Sequence, residues 1–176
     1  MEYLDDELSH YLEPVAKSRT PFVFDDILTR PIRDLNLVPA TLIGHETSLA
    51  EAIGIMQTRK FGALLVTREG HLAGIFTERD ILNRLIGNSV DLADTPVADY
   101  MTPNPESLHD EDAIVYAMNK MVVGGYRHIP IVDSQGLPVS VLSIRDVVSF
   151  ICSFCDSEVL NLPPQPLRKN QSREGA

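Results

Sequence analysis

Gly74-Ile75-Phe76-Thr77-Glu78-Arg79-Asp80-Ile81 reappears sixty-six positions later as Ser140-Val141-Leu142-Ser143-Ile144-Arg145-Asp146-Val147. In both copies an apolar stretch ends at a hydroxyl residue, and a carboxylate follows three positions on. That is how a strand running into a helix reads. Thr77 and Ser143 suit an N-cap, while Asp80 and Asp146 suit the positive end of the helix dipole.

The similarity extends upstream. Leu72 to Phe76 and Val139 to Leu142 are each preceded by a turn with glycine (Arg68-Glu69-Gly70; Asp133-Ser134-Gln135-Gly136) and an apolar run, Ala63-Leu64-Leu65-Val66 or Ile129-Pro130-Ile131-Val132. Each set predicts a β-hairpin. Before it, Leu49, Ala52, Ile53 and Met56 stand at helical spacing behind Thr47 or Ser48. Ile114, Ala117, Met118 and Met121 do so behind Asp112. Pro31-Ile32-Arg33-Asp34-Leu35 matches Pro96-Val97-Ala98-Asp99-Tyr100 at an offset of sixty-five. One inserted residue accounts for the change to sixty-six, and the alignment sets Val66 against Val132 and Phe61-Gly62 against Arg127-His128. With closing helices over about 78–86 and 144–154, each unit is β-α-β-β-α, about 60 residues. One unit buries little core. Two related by a pseudo-twofold axis, sheet facing sheet, bury what neither can bury alone, an α+β fold.

The expected organisation is an N-terminal segment over 1–30, unit 1 over 31–90, unit 2 over 96–155 and a tail over 156–176. Leu4, Leu8, Tyr11, Leu12 and Val15 form a helical stripe in the first segment, broken by Pro14. The tail, with Pro163, Pro164 and Pro166, reads as disordered. The 176 residues are 44% apolar and 23% charged, the balance of a globular protein. No run approaches the ~18 apolar residues of a membrane span. The acidic opening Met1-Glu2-Tyr3-Leu4-Asp5-Asp6-Glu7 is unlike a secretory leader, so a cytoplasmic location is expected. A net charge of −10 with no basic block argues against nucleic acid and anionic lipid as partners.

The repeat resembles the CBS domain, present as a tandem pair (a Bateman module). The resemblance is carried by Val97-Ala98-Asp99-Tyr100-Met101-Thr102-Pro103, by Ala117 and Met121, by Arg127-His128-Ile129-Pro130-Ile131-Val132-Asp133, and by the octapeptide at the end of each unit. It covers residues 31–155. It implies that the two units pack as one pseudo-twofold disc with two clefts between the paired sheets, which in this family commonly take AMP, ADP, ATP or S-adenosylmethionine as a regulatory ligand, with no required cofactor. It also implies a homodimer through the closing helices and control of a partner protein, with no catalysis.

On that resemblance, Asp80 and Asp146 would accept hydrogen bonds from ribose hydroxyls. Thr77, Ser143, Arg79, Arg145, Arg127 and His128 would face phosphate. From spacing alone, the hydroxyl and carboxylate of each octapeptide are equally well explained as helix caps, and Arg127-His128 as a solvated strand start. The adenine would lie near Val38-Pro39-Ala40 and Thr102-Pro103-Asn104. Ser140 in place of Gly74 predicts a tighter second cleft.

Cys152 and Cys155 could form a redox pair or half a tetrahedral metal site. As neighbours on one helix face they are better explained by core packing. The five histidines share no metal-ligand spacing. No nucleophile–base set or phosphate-cradling glycine loop points to an enzyme. A ligand-free interaction scaffold and a thiol or metal protein are the alternatives to a nucleotide sensor. Apolar residues on the closing helices (Ile81, Leu82, Leu85 and Ile86; Val147, Val148, Phe150, Ile151 and Phe154) predict the homodimer contact.

Overall fold

The computed structural model describes residues 24–154. A short helix α1 (Phe24–Leu28) and a 3-10 turn (Ile32–Leu35) lead into β1 (Leu42–Gly44), α2 (Leu49–Arg59), β2 (Ala63–Arg68), β3 (His71–Thr77) and α3 (Glu78–Asp80). The last continues as a π-helical turn (Ile81–Leu85). A second 3-10 turn (Val97–Asp99) precedes β4 (Thr102–Pro103), β5 (Leu108–His109), α4 (Ile114–Gly124), β6 (His128–Val132), β7 (Pro138–Ser143) and α5 (Ile144–Cys152). Among the described residues, no helix is long and apolar enough to cross a membrane. The stripe expected over 1–17, the tail 156–176 and Cys155 lie outside the described residues.

Both units have the expected β-α-β-β-α order, in two small sheets. The first sheet runs β1-β2-β3-β4 and the second β5-β6-β7. In each, the first strand is parallel to the second and the hairpin is antiparallel. The fourth strand of the first sheet was not foreseen. β4 belongs to the opening linker of unit 2, yet it pairs on β3 of unit 1 through Gly74–Pro103 and Ile75–Thr102. The mirror contact is the single bridge of Pro39 to Ser140 on β7.

The linkers are exchanged more deeply as well. The Ile32 amide donates to the Asp112 carbonyl, and the Val97 amide donates to the Thr47 carbonyl (2.9 and 2.8 Å). Ile32 is fully buried in the core of unit 2, with Leu108, Ile114 and Ile131. Val97 and Met101 are buried in the core of unit 1, with Leu49, Leu64 and Phe76. A third cluster, Ala63, Leu65 and Ile75 against Ala40 and Val141, seals the sheets together. Each unit thus completes its core with the other unit's linker.

The backbone corrects the repeat alignment. Ile43 pairs with Val66 and Leu108 with Ile131, an offset of sixty-five that persists through β6. Leu65 pairs with Ile75 and Pro130 with Val141, so the offset becomes sixty-six only after the hairpin. The extra residue sits in the longer turn Asp133-Ser134-Gln135-Gly136. Val66 therefore corresponds to Ile131, not Val132, and Arg127-His128 corresponds to Gly62-Ala63, not Phe61-Gly62. Pro39 and Pro103 correspond at sixty-four, as matching bonds from Ala40 to Val139 and Asn104 to Ala73 show.

One of the two expected helix caps is met and the other is not. Ser48 caps α2 by accepting from the Glu51 amide (3.2 Å), but α4 starts behind Ala113 with no side-chain cap. Asp112 instead accepts from the His109 amide, 2.8 Å away.

Candidate functional site

Each β-hairpin delivers its chain into a helix through a closed capping box. The Asp80 amide donates to Thr77 Oγ1 (3.3 Å), while the Thr77 amide and hydroxyl donate to Asp80 Oδ2 (2.9 and 2.7 Å). Unit 2 repeats this at Ser143 and Asp146, with 3.3, 2.8 and 2.6 Å. The cap reading of these residues is therefore met. Both boxes stand at the strand-to-helix junction, where amides of the first helical turn have no intrahelical acceptor.

Each box opens onto a cleft walled by the other unit. A cavity of about 290 Å³ brings Thr77, Arg79 and Asp80 together with Thr102 and Asn104. A cavity of about 480 Å³ brings Ser143, Arg145 and Asp146 together with Val38, Pro39 and Ala40. Arg127 and His128 line both. All eight residues singled out in the sequence thus reach one cleft or the other. The linkers expected to wall the adenine are there too, although Asn104 and Pro105, not Pro103, line the smaller cleft. The second cleft is the larger one, contrary to the expectation from Ser140. A Cβ at Gly74 would run into the Met101 side chain, so this glycine makes room for a core residue and not for a ligand.

The comparisons with known proteins agree with this architecture. The CBS domain model matches twice, over residues 25–87 and 97–153. The chain belongs to the CBS-domain family. It is 37% identical over 116 residues to the CBS domain-containing protein CBSCBSPB5 of Arabidopsis thaliana. That match takes in 65% of this chain but 21% of the relative, so the chain spans about a fifth of that relative's length. The crystal structure of the CBS-domain protein ATU1752 from Agrobacterium tumefaciens is similar at 30% identity and a TM-score of 0.60, covering 67% of this chain and 94% of that one. The CBS domain protein PAE2072 from Pyrobaculum aerophilum, solved complexed with AMP, is similar at 26% identity and a TM-score of 0.62, over 75% of this chain and 97% of that one.

The two CBS units do not present equal clefts. Arg79 Nη1 donates to the Gly125 carbonyl (3.0 Å) and ties unit 1 to the end of α4. Arg145, its counterpart, makes no hydrogen bond or ion pair among the described residues. Thr102 and Arg84 approach Asp80; Thr102 was expected beside the adenine and not as a partner of the carboxylate, and Arg84 was not singled out in the sequence. Nor were Glu78, an acid that lines both clefts, and Lys60, a base in the larger one. Their signal is positional only: each becomes visible once the two units are superposed.

His128 is half-buried between the clefts. Burial pushes its pKa below the usual 6.5, and the neighbouring Arg127 pushes the same way; Glu78 and Asp146 oppose, and Arg79 assists. The imidazole is accordingly neutral near pH 7, a hydrogen-bonding group and not a cation. Cys152 is half-buried with a free thiol at the end of α5.

Proposed function

We propose that this tandem CBS pair is a regulatory module that senses an adenine nucleotide, or S-adenosylmethionine, between its two units, and that it modulates a partner without catalysing a reaction itself. The observation that carries the reading is the repeated Thr/Ser-x-x-Asp box, open on each side to a cleft walled by the other unit's linker and edged by arginine. A carboxylate suits the paired hydroxyls of ribose, and arginines beside a helix N-terminus suit phosphate. Val38, 69% exposed at the edge of the larger cleft, offers an apolar surface to a base. The AMP held by PAE2072, on the same fold, supports the same ligand class.

Thr77, Arg79, Asp80, Arg127, His128, Ser143, Arg145 and Asp146 are the residues proposed to serve the two clefts, in a cytoplasmic homodimer. Because each cleft is built from both units, a ligand that binds there biases how the units sit together, and a partner reads that shift.

The test is thermal unfolding of the purified chain with AMP, ADP, ATP, NADH and S-adenosylmethionine. At a hundredfold excess over Kd, a ligand contributes about 2.7 kcal/mol, a rise of roughly 5 °C or more. No rise with any of them at millimolar concentration would favour the ligand-free scaffold.

A further inference from the structure

We infer that only the Asp146 cleft takes the nucleotide, because in the Asp80 cleft the carboxylate is already engaged by a clasp of this chain's own residues. The inference rests on the nucleotide reading above and assigns that ligand to one of two similar clefts.

A carboxylate that is to receive two ribose hydroxyls needs free lone pairs. Asp80 has little to offer: it is buried, and both of its oxygens are engaged. Oδ2 serves the capping box. Oδ1 accepts from Thr102 Oγ1 at 3.3 Å and faces Arg84 Nε at 3.7 Å. The clasp is anchored at its far side, because Arg84 Nη1 also donates to the carbonyls of Tyr100 and Met101 (3.0 and 2.9 Å). Carboxylate, guanidinium and the chain entering β4 thus form one connected set, and opening it takes partners from the buried Asp80 carboxylate.

The corrected alignment shows what replaces the clasp on the other side. Thr102 corresponds to Val38 and Arg84 to Phe150, and neither can hydrogen-bond through its side chain. Asp146 Oδ2 serves its capping box in the same way, but Oδ1 has no partner among the described residues, and the side chain is half-buried instead of enclosed.

Charge divides the clefts in the same sense. Lys60 and Arg145 line the Asp146 cleft alone and Arg127 lines both clefts, and none of the three side chains makes a hydrogen bond or ion pair among the described residues. In the Asp80 cleft Arg79 is spent on Gly125, and Glu106 adds a carboxylate that is paired with Lys120. Two additional free cations, an unpartnered carboxylate oxygen and the greater volume coincide at the Asp146 cleft.

Calorimetry with AMP on the full chain tests this. The expected stoichiometry is one AMP per chain. Asp146→Asn weakens it by roughly 10- to 150-fold, the equivalent of losing a charge-assisted bond. Arg145→Gln, an exposed substitution outside the capping box, weakens it in the same direction and covers the case in which Asp146→Asn disturbs α5. Copying the Asp146 side into the Asp80 side, by Thr102→Val with Arg84→Phe, frees the Asp80 carboxylate and adds a second AMP per chain. Two AMP per wild-type chain, or one AMP indifferent to both Asp146→Asn and Arg145→Gln, overturns the assignment but leaves the nucleotide reading standing. No binding of AMP or of any other adenine ligand overturns both.

Discussion

His128 and Gly62 are complementary in size where the two clefts meet: a Cβ built on Gly62 would lie 2.9 Å from His128 Nε2 and 3.0 Å from Cε1. The imidazole fills the space that the glycine leaves. Gly62 carries no positive φ, so it is there for room and not for backbone freedom. Gly62→Ala therefore pushes the ring tip aside toward the clefts, with an expected loss of about 1 kcal/mol of stability, the low end of overpacking because the ring has room to move. Adding His128→Ala should return most of that loss, whereas two unrelated substitutions would add. A double-mutant cycle in urea measures the coupling, and additive effects would show that the contact carries no strain.

The same histidine makes stability depend on pH. Its folded pKa lies below the unfolded value of 6.5, so the unfolded chain binds more protons as the pH drops past that value. The contribution of His128 is therefore complete above about pH 6.5 and is lost as pH falls from there through the folded pKa. Glu78 and Asp146 moderate the effect from the cleft walls, and Arg127 and Arg79 reinforce it. His128→Gln, which cannot take up a proton, should flatten the melting-temperature profile between pH 7.5 and 5. A profile as steep in the variant as in the wild type would assign the acid sensitivity to other groups.

The exchanged linkers make the two CBS units one cooperative body. Ile32→Ala empties a site in the core of unit 2 although residue 32 belongs to the opening segment of unit 1, with an expected cost of about 2–5 kcal/mol. Val97→Ala does the converse to unit 1, at a smaller cost because fewer carbons are removed. Hydrogen exchange should show protection falling in α4 and β6 for Ile32→Ala, and in α2 and β2 for Val97→Ala. Loss confined to the half of the chain that carries the substitution would contradict the exchange.

The two octapeptides made the fold legible because they join a strand period to a cap and a helix. Three local signals agree there, and they occur twice. The exchange of linkers was not legible. Pro31-Ile32 and Pro96-Val97 look alike, and periodicity says that Ile32 and Val97 are buried without saying in which unit. The alignment slipped by one through β6 for a related reason. Val66 and Val132 are identical, but hydrogen bonding follows register, and the longer turn after Val132 absorbs the extra residue. In the clefts, the residue types of the expected site were readable, yet the clasp on Asp80 was not. Arg84 and Thr102 reach it from a helical turn and from the other unit's linker, contacts set by the swap and by no sequence spacing.

The homodimer prediction rests on a narrower stripe than the sequence suggested. Leu85 and Val147 are buried in the cores of their own units and are unavailable to a partner. What stays outside on the closing helices is Leu82 and Ile86 (66% exposed each), Val148 (52%) and Ile144 (42%). Leu82 and Val148 occupy equivalent positions of the repeat, so one surface with internal twofold character results, suited to the self-complementary contact of a twofold dimer. Leu82→Glu with Val148→Glu places four acids in that contact per dimer, on a chain whose net charge is already −10. Both side chains are exposed, so the monomer itself should lose little, within about 0.5 kcal/mol per site. Sedimentation should then find the wild type at twice 19.5 kDa and the variant at 19.5 kDa. A wild-type monomer at micromolar concentration would refute the dimer. A variant that stays dimeric would move the contact to α4, where Val122 and Val123 are 82% and 79% exposed.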